Sequence, residues 1–172
     1  MKRLLLLGVL GLVACAPHVP SARWIGSSMF VRTDVQPAEL AGLWYEVASF
    51  PAPFQRDCSH TTAAYRPLAD GRIALENRCR VGDEIRRIGG TARVVAPGRL
   101  KVDLDGVPFD GDYWILGLSR DGQTLVVGTP TRIAGWVLHR DRQIDPRELR
   151  AARDLFERSG YDPAALQRIL HR

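Results

Sequence analysis

The sequence predicts an all-β antiparallel fold, a sandwich or a barrel of eight strands, followed by one amphipathic helix. Three observations carry that expectation. The chain has 172 residues, enough for one domain with a sizeable core. Between residues 43 and 140, short β-type runs alternate with turn residues at fairly even spacing, with no helical run between them. After Asp145 the pattern changes to a helical period.

The runs fall at about 43–50, 59–66, 72–79, 85–95, 99–104, 112–118, 124–128 and 134–140. Turn residues divide them, among them Pro51-Ala52-Pro53, Ala69-Asp70-Gly71, Ala96-Pro97-Gly98, Asp105-Gly106 and Asp121-Gly122. Eight strands closed on themselves leave room for side chains or for one small ligand. Ahead of them, Pro37-Ala38-Glu39-Leu40 predicts a single helical turn. Beyond them, Asp145 caps and Pro146 starts a helix whose Leu149, Ala152, Leu155 and Phe156 form an apolar stripe, with Gly160 as its stop. That stripe is expected to pack outside the strands. Asp162-Pro163 repeats the capping signal and predicts a second short helix up to Leu170.

The first residues read as a secretion signal. Met1-Lys2-Arg3 is positive, and Leu4 to Val13 is apolar but too short to span a bilayer, which takes about 20 residues. The run ends in Leu12-Val13-Ala14-Cys15, which resembles a bacterial lipobox. That resemblance implies cleavage after residue 14, acylation of Cys15, and sorting to the outer membrane, because Ala16 stands where an Asp would retain the protein at the inner membrane. Residues 15–36, with Pro17, Pro20, Ser21, Ser27 and Ser28, read as a lipidated tether, and 37–172 as the domain.

Loss of the leader removes Lys2 and Arg3 and lowers the formal charge from +5 to +3. The remaining basic residues are scattered singly, which argues against nucleic-acid binding. His18, His60, His139 and His171 lack metal-ligand spacing, and no nucleophile elbow or phosphate loop occurs. No catalytic residue, metal or cofactor is expected.

Three cysteines occur, so lipidation of Cys15 leaves Cys58 and Cys79 as a pair in an oxidising compartment. A disulfide between them would tie strand two to strand three. Direct pairing of the cysteines sets Ala64 opposite Ile73 and Thr62 opposite Leu75. The loop of about 20 residues that it closes is worth roughly 3 kcal/mol in the chain-entropy model.

Gly42-Leu43-Trp44-Tyr45-Glu46-Val47-Ala48 resembles the Gly-x-Trp motif that opens the first strand of lipocalins, and Trp136-Val137-Leu138-His139-Arg140 resembles the motif that ends the last. The chain thus resembles the lipocalin family, with bacterial outer-membrane lipocalins and the apolipoprotein D group the nearest in pattern. The resemblance implies an eight-stranded antiparallel up-and-down barrel with the helix outside it. It also implies that Arg140 packs across Trp44 and closes the barrel base, a cation–π contact worth roughly 0.5–2 kcal/mol. The family's second motif, Thr-Asp-Tyr, is unmatched: Leu118-Ser119-Arg120 stands in its place.

With Trp44 inward, alternation sets Glu46, Ala48 and Phe50 on the same face, and Trp136 joins them from the last strand. The resemblance places Tyr65, Asn77 and Tyr113 inward too. An inward Tyr65 and Asn77 favour a register one residue from direct cysteine pairing, and a bulge near Ser59-His60 would reconcile the two. Phe54 and Phe109 fall in loops at the open mouth. Glu46 is the most informative of these residues, because an inward carboxylate is costly unless paired or wet.

These residues describe a pocket for a small apolar ligand such as a fatty acid or lysophospholipid, in a monomer or weak dimer held to the outer membrane by its lipid and facing the periplasm. Two other functions compete with binding. One is a lipocalin-type enzyme acting on a lipid, which in this family uses a free pocket cysteine. The other is a structural or interaction module whose barrel is filled by side chains.

Overall fold

The computed structural model describes residues 28–55 and 57–171. The leader, Cys15 and the first part of the tether lie outside the described residues. Among the described residues nine strands and one α-helix follow in order: β1 (Gly42–Ser49), β2 (Ser59–Pro67), β3 (Ile73–Val81), β4 (Glu84–Ala96), β5 (Arg99–Leu104), β6 (Gly111–Leu118), β7 (Thr124–Gly128), β8 (Gly135–His139), α1 (Pro146–Arg158) and β9 (Gln167–Arg168).

Each of β1 to β7 pairs antiparallel with the next, and β8 pairs back onto β1 through Tyr45↔His139 and Glu46↔Leu138. The result is a closed eight-stranded up-and-down barrel, the arrangement that leaves no long free edge. β1 pairs with β2 only from Gly42 to Tyr45. Beyond that β2 diverges, and β9 takes over the exposed edge through Ala48↔Arg168 and Ser49↔Gln167. The expected second helix is therefore corrected. Only Pro163–Ala165 turns, capped by Asp162, and the chain then extends because the unpaired edge of β1 offers it hydrogen bonds.

Asp145 accepts a hydrogen bond from the Arg147 N–H at 2.6 Å, and α1 buries Leu149, Ala152 and Phe156. They pack against the outside of the barrel, on a cluster that includes Val47, Leu116, Val126 and Val137. A second cluster fills the inside, from Leu40 and Trp44 to Leu100, Leu125 and Leu138.

A bulge between Glu46 and Ala48 breaks the alternation of β1. Trp44 belongs to the inner cluster, but Ala48 and Phe50 belong to the outer one, at 0% and 1% exposure. Their expected place in the pocket is thus corrected. One extra residue turns the following side chains to the opposite face, and Phe50 stacks on Tyr161 and meets Phe156 edge-on. Ser49, opposite Trp136 on β8, takes the inward place.

The described end of the tether is docked on the barrel. The Arg32 N–H donates to Ile115 O at 2.8 Å, its guanidinium donates to Leu118 O, Met29 packs on the outer cluster and Val35 on the inner. Gly98, at φ +70°, lies beneath: a Cβ there would come within 2.1 Å of Arg32 O.

Cys58 and Cys79 are disulfide-bonded, with Cα atoms 5.3 Å apart. The register around them differs from direct pairing. Tyr65 faces Leu75, Ala63 faces Asn77, and Thr62 faces Arg78. The hairpin closes further along the chain than direct pairing requires, with the Leu68 N–H donating to Arg72 O so that Pro67 faces Ile73. A shift between Ser59 and Thr62, with His60 at φ +53°, brings Cys58 back within reach of Cys79.

Candidate functional site

The base of the barrel is built from the two end motifs. Trp44 is fully buried and its indole Nε1 donates to Leu40 O at 2.8 Å. The Arg140 Cζ lies 3.5 Å from the Trp44 ring centroid. Its guanidinium also donates to Leu43 O at 3.0 Å and Glu39 O at 3.2 Å, so one side chain ties β8 to both the first strand and the turn before it. Gly42 is required twice over. It adopts φ +102°, and a Cβ there would meet Arg140 Nη1 at 3.0 Å. Where the second motif is missing, Ser119 supplies the turn chemistry: its Oγ accepts from the Gln123 and Thr124 N–H groups and donates to Asp121.

Above the base, Tyr65 and Tyr113 meet inside the barrel. Their hydroxyls share a hydrogen bond of 3.1 Å and their rings meet edge to face. Burial pushes the Tyr65 phenol up to about 12 and the Tyr113 phenol well above its ordinary value, so both stay protonated near neutral pH. The side chains around them are tightly packed. The space left between Leu75, Ala92, Val102 and the two tyrosines is only about 10 Å³. A larger cavity, about 400 Å³, opens at the base between the Thr33–Pro37 segment, Val94–Gly98 and Ile115.

The upper half of the interior is organised around Glu46. Its carboxyl is 3% exposed and accepts a hydrogen bond from Gln55 Nε2 at 3.1 Å. Gln55 Oε1 in turn accepts from Trp136 Nε1 at 2.9 Å. Burial raises the Glu46 carboxyl to about 7, against the smaller opposing effect of the polar side chains of Ser49 and Gln55. Gln55 descends from the short turn Pro53–Gln55, and the ring of Phe54 on that turn lies 6.5 Å from that of Trp136. Asn77 shares the inner face of β3 with Leu75 by alternation and pairs with Ala63.

Phe54 is 71% exposed and Phe109, in the β5–β6 connection, is 70% exposed. Ile85 beside the β3–β4 turn and Ile133 between β7 and β8 are exposed too, so each of the four connections at this end carries an apolar side chain into solvent. The opposite wall, Trp114, lies outside the barrel under Arg99, whose Cζ sits 4.4 Å from its ring centroid.

Sequence reasoning missed Gln55, because a lone polar residue in a loop has no periodicity to mark it. It also missed Tyr161, whose hydroxyl accepts from the Thr129 N–H and donates toward Thr129 O and Ala134 O. His139 is a structural residue. Its Nδ1 accepts from the Asp141 N–H and its Nε2 lies 3.3 Å from Glu148 on α1. Among the described residues no group of three or more His, Cys, Asp or Glu side chains gathers as metal ligands. The disulfide also takes the Cys58 and Cys79 thiols out of nucleophilic chemistry.

A closed antiparallel barrel with a cation–π clasp at one end and a few buried polar groups in an apolar interior defines a small up-and-down barrel protein. Residues 35–171 match the family model described as a lipocalin-like domain, and the chain belongs to the lipocalin family. It is 32% identical over 138 residues to temperature-induced lipocalin-1 of Arabidopsis thaliana, covering 74% of each chain. It is 29% identical over 157 residues to the outer membrane lipoprotein Blc of Vibrio cholerae, covering 88% of this chain and 91% of that one. Among solved structures, lobster apocrustacyanin A1 superposes with a TM-score of 0.70 at 12% identity, over 89% of this chain and 92% of the other. Lipocalins are in general binding proteins for small hydrophobic molecules.

Proposed function

We propose that this protein is an envelope lipoprotein that captures, stores or transfers fatty acids, lysophospholipids or similar amphiphiles. It is held to the outer membrane through Cys15, faces the periplasm, and acts as a monomer or weak dimer. The observation that carries the reading is the upper interior, where Glu46, Gln55 and Trp136 supply polar atoms inside an otherwise apolar wall, with the Tyr65–Tyr113 pair as a floor. The exposed Phe54, Ile85, Phe109 and Ile133 suit exchange of such ligands with a lipid surface.

The binding test is a titration with a polyene fatty acid, followed by quenching of tryptophan fluorescence. Saturable binding at one site is expected, unchanged by raising salt because screening acts mainly on exposed charges. Trp136→Ala is expected to weaken it by about 10-fold or more, the scale of a lost aromatic contact. Binding that salt abolishes and Trp136→Ala spares would place the ligand on the surface instead.

The anchor has its own test. Cys15→Ser is expected to move the protein out of the outer-membrane fraction, since a lipid chain contributes about 0.8 kcal/mol per buried methylene. Fractionation unchanged by the substitution overturns the assignment of Cys15.

The tight packing around Tyr65 and Tyr113, with only about 10 Å³ between them, favours a second reading: a barrel filled by its own side chains that serves structure or interaction. A well-folded protein that shows no saturable quenching selects that reading.

A further inference from the structure

Gln55 behaves toward the barrel interior as a guest does. Its carboxamide reaches down from a loop and inserts between two walls of opposite hydrogen-bonding character. The Glu46 carboxyl on β1 accepts from its Nε2 at 3.1 Å, and the Trp136 indole on β8 donates to its Oε1 at 2.9 Å. Both walls stand on strands paired through Ser49↔Trp136, so their spacing is set by the sheet and not by the loop.

The acceptor wall is otherwise expensive to keep. Glu46 is 3% exposed, and among the described residues it takes part in no ion pair. Its hydrogen-bond partner is the amide of Gln55. A leucine at this position would pack without that cost. A buried acceptor of this strength is useful where something brings it N–H donors.

We infer that Glu46 and Trp136 form a head-group site, with the Gln55 carboxamide as its internal occupant, that selects amphiphiles whose head joins N–H donors to an oxygen acceptor. The inference rests on the binding function proposed above. Two sources share this chemistry: a primary fatty amide, and an ethanolamine phosphate head with its ammonium and phosphate oxygens. A choline head has no N–H to give. A bare carboxylate has no donor and brings negative charge against Glu46.

The test is calorimetric titration of the purified full chain at about pH 8, where the Glu46 carboxyl is mostly ionised. The probes are lauroyl lysophosphatidylethanolamine, lauroyl lysophosphatidylcholine, dodecanamide and laurate, which share one chain length. The ethanolamine lipid is expected to bind about 10-fold more tightly than the choline lipid, the value of one hydrogen bond to a charged group. Dodecanamide is expected to exceed laurate in the same sense. Tight binding of the ethanolamine lipid with weak binding of the amide would assign the site to the phospholipid, and the reverse order to the amide.

Glu46→Gln, which keeps shape and one acceptor oxygen, is expected to reduce the ethanolamine preference to about 3-fold, since a neutral acceptor is worth about half a charged one. Gln55→Ala separates a surrogate guest from a mere loop latch. Removing a competing occupant strengthens ethanolamine-lipid binding several-fold, whereas removing a latch leaves it equal or weaker. Equal affinities for the ethanolamine and choline lipids, or a preference that survives Glu46→Gln intact, overturn the inference while leaving the binding function standing. If none of the four amphiphiles binds the folded protein, both fall.

Discussion

Trp44→Ala is expected to lower the free energy of unfolding by about 3–5 kcal/mol, the range for removing a large aromatic side chain from a packed core. The indole is fully buried, so truncation leaves a cavity at the barrel base that its neighbours fill only in part. Two further losses add to it. Leu40 O loses the indole N–H as its donor, and the Arg140 guanidinium loses the ring 3.5 Å beneath it. Arg140 keeps its bonds to Leu43 O and Glu39 O, so the base is loosened without being opened. For a domain of this size each kcal/mol moves the melting temperature by about 2–4 °C, giving a drop of roughly 6–20 °C. Urea unfolding of both proteins measures it. A loss under about 1 kcal/mol would mean that the clasp is not where the barrel's closure energy lies.

Glu46→Gln is expected to stabilise the protein above neutral pH and to leave it nearly unchanged in acid. The carboxyl holds its proton up to about 7 when folded and to about 4.5 when free. Below about 4.5 both states carry the proton and the group makes no pH-dependent contribution. Between about 4.5 and 7 the unfolded chain releases the proton first, so the stability of the native protein falls as pH rises through this window. Above about 7 the full penalty is present, on the order of 3 kcal/mol for a shift of this size in a group so deeply buried. Glutamine carries no such penalty at any pH. Urea midpoints at about pH 4 and pH 8 are therefore expected to coincide at the first and to separate at the second, with the variant the more stable. A gap of the same size at both pH values would show that the substitution acts through packing and not through the proton.

Much of the molecule was legible in the chain itself. The eight strands lie within one or two residues of the runs read from alternation and turn residues, because a strand that buries one face has to alternate. The helix was legible in its cap, its proline and its stripe. Gly42, Trp44 and Arg140 announced the base clasp, since each is the residue type that its place demands: a backbone at positive φ, a flat ring, and a planar cation that stacks on it. The disulfide was legible as the pair that remained once Cys15 was read as a lipidation site.

Other features were decided only when the elements met. The bulge after Glu46 sends Ala48 and Phe50 outward under α1, and nothing in the alternating sequence marks it, because a bulge is a mismatch in pairing between two strands. The strand at Gln167–Arg168 exists because β2 leaves an edge of β1 unpaired, which is a fact of the barrel and not of that segment. The register of β2 on β3 was set by where the turn is centred, with Leu68 and Arg72 closing it. Glu46 could be read as inward and costly, but its partner could not be read at all. Gln55 and Trp136 stand 81 positions apart in the chain, and only closure of the barrel with its loop folded inward brings a carboxamide, an indole and a carboxyl into one line of hydrogen bonds.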